Sequence, residues 1–308
     1  MPDWVNLSFQ QGIQAESDTW YNNLQRLGSG GNAVTYLMAS SGGQYQGVCF
    51  AVKVFRRVSM PDRRESFLGE VRFLRTCDHP CVMRIYDEGV YREDHPFVVA
   101  EYLPQTLLDV IRADSPTLVE KLSYALQLLS TLAYLDTKAV IHRDIKPQNI
   151  FVKGRSCVLG DFGLMKRLPH DEEIDVRQTT IKESVGVGMP FFYRTPDQVA
   201  YARGDANLTT KSDIFQLGLV IAQLFSGRNP ERRAEHDDFL SDVLLEPKEA
   251  WITQIPFGFR DSIAGLIESM LIEDPENRPT AAELVDPWRG IFFAAAQQQS
   301  ALEGRVFR

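Results

Sequence analysis

Cysteine is scarce in this chain of 308 residues, which carries only Cys49, Cys77, Cys81 and Cys157. Four thiols in so long a chain do not make the disulfide framework of a small secreted domain. Long apolar runs are missing too: a stretch such as Leu217–Phe225 is broken by Gln223 and falls short of the roughly 20 residues a membrane-spanning helix needs. The N-terminus opens Met-Pro-Asp-Trp, without a basic start and an apolar stretch, so no signal peptide is expected. Positive charge is in deficit, with 33 Lys and Arg against 41 Asp and Glu and a net charge of −8. That balance argues against a chain-wide nucleic-acid or anionic-membrane surface. Internal repeats are absent, and local bias is confined to Gln297–Gln299, in a tail that reads as loosely ordered. The remainder is ordinary, 44% hydrophobic and 24% charged, and can bury a sizeable core. A compact, soluble, cytoplasmic protein is expected.

The pattern changes once along the chain. Tyr21–Leu27, Ala33–Ala39 and Gly47–Phe55 are rich in Val, Tyr, Phe and Leu and are separated by Gly-rich turns, which predicts strands. Pro61–Thr76 has helical spacing, with Phe67, Val71 and Leu74 on one face, and strands at Val82–Val90 and Phe97–Leu103 follow. Beyond Pro104 the pattern is mostly helical, and Leu118, Leu122, Ala125, Leu129 and Leu132 mark the longest amphipathic run. A strand-rich first lobe joined to a helical second lobe is expected to leave a ligand cleft at the junction.

Three segments carry chemistry. Gly28-Ser29-Gly30-Gly31-Asn32-Ala33 joins two predicted strands. Its glycines would let backbone N–H groups close over phosphates, although taken alone the segment reads as an ordinary hairpin turn. A strand rather than a helix follows it, and no Gly-Lys-Ser/Thr ending is present, which excludes a Rossmann site and a P-loop. In the next strand, Ala51, Lys53 and Phe55 alternate with Val52 and Val54, so Lys53 sits mid-strand, where an uncompensated ammonium is costly. Glu70 falls on the apolar face of the following helix, between Phe67 and Leu74, and a Lys53–Glu70 pair resolves both misplacements. The third segment is Ile141-His142-Arg143-Asp144-Ile145-Lys146-Pro147-Gln148-Asn149-Ile150, with Asp161-Phe162-Gly163 following 12 residues after Asn149. Phosphoryl transfer needs a base beside the attacking hydroxyl and oxygen ligands for Mg²⁺, which Asp144, Asn149 and Asp161 can supply.

In this order and spacing the motifs resemble those of the eukaryotic-like (Hanks-type) protein kinase superfamily, over roughly residues 21–286. The resemblance implies an α+β, bilobal fold with a small β-rich N-lobe carrying one main helix and a larger, mostly helical C-lobe. It places an N-terminal extension at 1–20, the kinase domain at 21–288 (N-lobe 21–103, C-lobe 104–288) and a tail at 289–308. Asp144 is implied as catalytic base, Lys146 as the lysine that steadies the transferring phosphate, Lys53 as the phosphate-contacting lysine and Glu70 as its partner. Asn149 and Asp161 are implied as metal ligands. The ATP site would comprise Leu27, Gly28, Ser29, Gly30, Gly31, Ala51, Lys53, Phe151 and the hinge at Ala100, Glu101 and Leu103, with Ala100 as gatekeeper. His142, Phe162, Leu74, Ile85 and Asp213 fall where the family stacks its spine. Asp213-Ile-Phe-Gln-Leu-Gly218 resembles the start of its central helix, and Arg278 the arginine holding the end of the activation segment.

The implied reaction is ATP-dependent transfer of the γ-phosphate to Ser or Thr hydroxyls, with Mg²⁺ as metal, Mn²⁺ as its substitute and a protein as substrate. The Asp-x-Lys-x-x-Asn loop resembles serine/threonine rather than tyrosine kinases. A regulatory partner is compatible with this reading, whereas nucleic acid and membrane are not expected as partners. The rival is a nucleotide-binding pseudokinase or scaffold: lost catalytic groups would favour it, and Lys53, Asp144, Asn149 and Asp161 are all present, but the altered glycine loop and platform keep it in view.

Some positions depart from the family. The third loop glycine is Ala33 and the loop tip is Asn32; because positive φ costs alanine about 1 kcal/mol or more, a different tip is expected. Thr35 replaces the valine over adenine, and Tyr193-Arg194-Thr195-Pro196-Asp197 stands where Tyr-x-Ala-Pro-Glu is usual. Pro190 stands where the family's threonine lies near the substrate platform. Thr179, Thr180 and Ser184 are candidate autophosphorylation sites, since Arg143 and Lys166 match positions that bind an activating phosphate in relatives. Cys77-Asp78-His79-Pro80-Cys81 matches a family turn, and no further ligands accompany it to make a zinc site.

Overall fold

The computed structural model describes residues 5–29, 33–56, 58, 68, 71–161, 166–167, 193–232 and 242–302. The chain divides into two compact units, residues 1–104 and 105–308.

The first unit is built on an antiparallel sheet of β1 (Gly12–Gln14), β2 (Trp20–Ser29), β3 (Ala33–Ser40), β4 (Cys49–Phe55), β5 (Ile85–Tyr91) and β6 (His95–Glu101), in the order β1-β2-β3-β4-β6-β5. Period-two alternation sets its faces. Tyr36, Met38, Phe50, Val52, Val54, Phe97 and Val99 are buried together on one side. Val5, Leu7, Ile13 and Ala15 belong to the same core, so residues 5–15 are packed into this unit. The Tyr36 hydroxyl donates to Val5 O at 2.7 Å and accepts from Leu7 N at 3.2 Å, and Asn23 Nδ2 donates to Leu7 O at 2.9 Å. Of the helix expected over Pro61–Thr76, Leu68 and residues 71–75 are described and helical, with Leu68, Val71 and Leu74 buried.

The second unit opens with α1 (Leu107–Arg112) and α2 (Leu118–Thr137). Then come β7 (Val140–Ile141), a 3₁₀ turn at Pro147–Asn149, the hairpin of β8 (Ile150–Lys153) and β9 (Ser156–Leu159), and β10 (Lys166–Arg167), which pairs with β7. The remaining helices are α3 (Pro196–Arg203), α4 (Lys211–Ser226), α5 (Arg260–Met270) and α6 (Ala281–Leu302), with the short pair β11 (Glu231–Arg232) and β12 (Leu244–Leu245) after α4. Four of the helices start the same way. A threonine side chain caps the helix and an acid or amide three residues on reaches back, in the pairs Thr106/Asp109, Thr117/Glu120, Thr195/Gln198 and Thr280/Glu283. Those reciprocal bonds hold the Asp109, Glu120 and Glu283 carboxyls below the usual range.

The tail corrects an expectation. Instead of being loose, the chain is helical to Leu302 and α6 lies along α2. Leu284, Trp288 and Ala295 recur at helical spacing and are buried, which fastens the helix well past Arg289.

α4 is the centre of this unit, and from Ser212 to Ala222 every residue is buried. Gly218 makes room for the next element: a Cβ there would lie 2.9 Å from Leu271 Cδ2 and 3.0 Å from Met270 Cβ. In a free helix Gly→Ala gains about 1 kcal/mol of propensity, but overpacking a core costs about 1–3 kcal/mol. Gly218→Ala is therefore expected to lower stability by roughly 1 kcal/mol in urea melts, and a stabilised variant would contradict the packing.

Candidate active site

The site in the second unit is assembled on the loop between β7 and β8. Arg143 has φ of +69° and Asp161 of +60°, both in the left-handed region that non-glycine residues avoid. Buried side chains hold the Arg143 turn in place. Asp213, at the start of α4, accepts from His142 N at 2.7 Å and Arg143 N at 2.8 Å. Burial pushes its carboxyl up to about 7, against the opposing pull of these two N–H donors and of Arg143. The His142 ring takes the Asp144 N–H on Nδ1 at 3.3 Å and lies 3.0 Å from Gly160 O through Nε2. That pairing suits a neutral imidazole donating through Nε2, and burial lowers its pKa accordingly.

The loop gathers Asp144, Lys146 and Asn149. Lys146 Nζ donates to Asp144 Oδ2 at 2.9 Å, and Asn149 Nδ2 donates to the same oxygen at 2.8 Å and to Asp144 O at 2.9 Å. Asp144 Oδ1 is buried with no hydrogen-bond partner among the described residues. With its amide donors directed to Asp144, Asn149 keeps Oδ1 as an oxygen ligand. Gly160 N donates to Asn149 O at 2.9 Å, which ties the residue before Asp161 to the same cluster. An amide oxygen and a carboxylate are hard donors of the kind Mg²⁺ takes, so Asn149 and Asp161 fit that ion. Phe151 is half-buried in β8.

The first unit holds the other predicted residues. Ala51 pairs with Ala100 across β4 and β6, Lys53 with Val98 on β6 and with Thr35 on β3, and Leu37 with Ala51. Directly opposed residues share a face, so Thr35, Leu37, Ala51, Lys53, Val98 and Ala100 form the face opposite the Phe50-Val52-Val54 core. Two methyl side chains leave the Ala51–Ala100 pair shallow enough to receive a flat ring. Lys53 Nζ lies 5.2 Å from the centroid of the Phe55 ring. Glu101 N donates to Arg84 O at 3.0 Å, so the hinge enters from a paired strand end. Gly28 and Ser29 end β2, Leu27 is partly exposed beside them, and Leu103 is buried just past β6. Ala33 is the first residue of extended β3, where an alanine carries no strain. Gly30, Gly31, Asn32, Glu70, Phe162, Thr179, Thr180, Ser184 and Pro190 lie outside the described residues.

The family model described as protein kinase domain matches residues 21–288. The chain belongs to the protein kinase family. The chain is 31% identical over 279 residues to the serine/threonine-protein kinase pkn2 of Myxococcus xanthus, covering 87% of this chain and 32% of that one. It is 30% identical over 271 residues to the serine/threonine-protein kinase PrkC of Bacillus subtilis, covering 85% and 39%. With the serine/threonine-protein kinase shk2 of Schizosaccharomyces pombe it shares 27% over 270 residues, covering 86% and 43%. The chain thus spans less than half the length of these relatives.

The kinase departs from its family pattern where the activation segment ends, and the structure shows how the change is absorbed. Asp197, shorter than the usual glutamate, still meets Arg278, with Nη2–Oδ1 at 3.2 Å and Nη1–Oδ2 at 3.4 Å, and takes the Ser212 hydroxyl as well. Thr195 replaces alanine and caps α3, accepting from Gln198 N at 3.0 Å. Beside it, Arg194 Nε lies 3.6 Å from Glu231 Oε1; both side chains are buried, and burial pushes the Glu231 carboxyl up to about 8. Two residues of this kinase's site escaped the sequence reading, Gln198 and Gln216. The available signal was an amide among the apolar residues of α4, three residues after Asp213. Among the described residues no helix is long and apolar enough to cross a membrane.

Proposed function

We propose that the chain is the catalytic unit of a serine/threonine protein kinase, transferring the γ-phosphate of ATP to a Ser or Thr hydroxyl of a protein. The observation that carries the reading is the Asp144 carboxylate. Lys146 and Asn149 fix one oxygen, while the other is buried with nothing to accept from. A buried acceptor left unmatched is costly, and an incoming hydroxyl satisfies it. Asp144 then orients that hydroxyl and takes its proton, while Lys146 offsets negative charge beside it. Asn149 and Asp161 would hold Mg²⁺, with Mn²⁺ able to substitute, and the ion supplies charge neutralisation on the phosphates. In the first unit Lys53 would contact the phosphates, with Glu70 as its proposed partner, and Leu27 to Gly31, Ala51, Ala100, Glu101 and Leu103 would contact the nucleotide; in the second, Phe151 would contact it.

Labelled ATP with a generic protein acceptor, run with wild type and Asp144→Asn, tests this function. Equal incorporation by both proteins would leave nucleotide-binding scaffold as the better reading. The four cysteines are thiols, which suits the cytoplasm, the compartment we assign. A regulatory partner is compatible with the same reading.

Two further outcomes are expected. Ala100 presents only a methyl on the face it shares with Ala51, so adenine analogues with a bulky substituent should bind. Ala100→Met should weaken them by about tenfold or more through steric conflict, and an unchanged inhibition constant would remove Ala100 from the nucleotide site. Autophosphorylation is expected within Thr179–Ser184; peptide mapping by mass spectrometry after ATP incubation reads it directly, and an unmodified segment refutes it.

A further inference from the structure

Gln216 lies three residues beyond Asp213 on α4 and is fully buried. In an otherwise apolar stretch of helix, a neutral amide with no exposure must find partners for one acceptor and two donors. It finds them on two separate segments. Oε1 accepts from Ile145 N at 2.9 Å, and Nε2 donates to Arg143 O at 3.1 Å, so one side chain brackets Asp144 from both sides. Nε2 also donates to Tyr193 O at 2.8 Å, at the end of the activation segment. Gln198 completes the arrangement: its Nε2 donates to Arg143 O at 2.9 Å, and its Oε1 lies 3.4 Å from Gln216 Nε2 and accepts from Thr195 N at 3.1 Å.

The shared acceptor is the carbonyl of the residue held at φ of +69°, immediately before Asp144. A left-handed non-glycine residue persists only where its surroundings over-determine it. Here Asp213 holds its N–H while Gln216 and Gln198 hold its C=O. A side-chain amide can donate to the Arg143 carbonyl and accept from the Ile145 N–H at once.

We infer that Gln216, seconded by Gln198, is a positioning residue that fixes the aim of Asp144 and couples it to the Tyr193–Thr195 segment. A displacement of that segment then reaches the Asp144 backbone through one side chain, without either glutamine touching ATP or the reacting hydroxyl.

The inference rests on the kinase reading, and the experiment separates the two. Steady-state phosphoryl transfer is measured for full-length wild type, Gln216→Met, Gln198→Met and the double variant, at a temperature where circular dichroism shows all of them folded. Methionine keeps the length and removes the hydrogen bonds. Gln216→Met is expected to lower kcat, per folded enzyme as read by circular dichroism, by about 10–100-fold while the KM for ATP stays within about threefold, the split a misaimed base produces. Gln198→Met is expected to lower kcat by about 5–10-fold, and the double variant to lie within about threefold of Gln216→Met, because both amides act through the Arg143 carbonyl. A Gln216→Met kcat within about twofold of wild type, or losses that multiply in the double variant, overturns the inference. Should Gln216→Met fail to fold, Gln198→Met decides, and a kcat within about twofold of wild type overturns it. A wild type that transfers no phosphate overturns the kinase reading itself, and with it this inference.

Discussion

Asp144→Asn is expected to lower kcat by about 10²–10⁴-fold while leaving the fold and ATP affinity nearly untouched. The carboxamide has the carboxylate's shape, and its oxygen can occupy the Oδ2 position, still accepting from Lys146 and Asn149. Its NH₂ then occupies the position of the partnerless Oδ1. A donor replaces the acceptor that should orient the hydroxyl, and an amide takes up no proton at neutral pH. Because the loop bonds survive, the thermal midpoint should move by only a few degrees, corresponding to about 1 kcal/mol. Initial rates at saturating ATP, with nucleotide binding measured separately, read the two effects apart. A variant keeping a tenth or more of the wild-type rate would remove Asp144 from the role of base.

Arg278→Met should give the largest stability loss. The Arg278 side chain is fully buried and all its donors are used. Nε donates to Ile272 O at 2.9 Å, Nη1 to Lys211 O at 2.6 Å and Nη2 to Glu273 O at 3.0 Å, besides the two bonds to Asp197, and the guanidinium lies 5.0 Å from the centroid of Phe215. Methionine fills much of the volume but removes the donors to three carbonyls and leaves the Asp197 carboxylate buried without a cation. Removing one partner of a buried pair costs about 3–5 kcal/mol, because the other charge stays behind. At about 2–4 °C per kcal/mol for a unit of this size, the midpoint should fall by roughly 10 °C. Arg278→Lys keeps the charge without the planar fork and should recover only a minor part. Differential scanning calorimetry checks both, and a shift under about 2 °C for Arg278→Met would show that the pair clamps nothing.

The fold was legible in the sequence, as was the closeness of Asp144, Lys146 and Asn149 on one loop. Strand alternation around Lys53 and the loop from His142 to Asn149 are short-range patterns that survive without neighbours. The loose-tail expectation failed because it set the compositional bias of Gln297–Gln299 above the helix propensity of Ala294–Gln299; packing of α6 along α2 then buries Ala295. The role of Gln216 escaped for a related reason. Its partners, Ile145, Arg143 and Tyr193, are 71, 73 and 23 residues away, and no spacing rule links them. Thr195 looked like a lost alanine until the reciprocal bonds with Gln198 made it a helix cap.

Residue identity and local order pointed to the family, since the order and spacing of Asp144, Lys146, Asn149 and Asp161 resemble its motifs, and the family model matches residues 21–288. Chain folding decided which oxygen of Asp144 is held and which is left for a substrate, and which buried amide holds the turn beneath it. The physical reason is range. Side-chain chemistry and strand or helix periodicity are properties of a few consecutive residues, whereas desolvation and hydrogen-bond saturation depend on segments that meet only when the chain is folded.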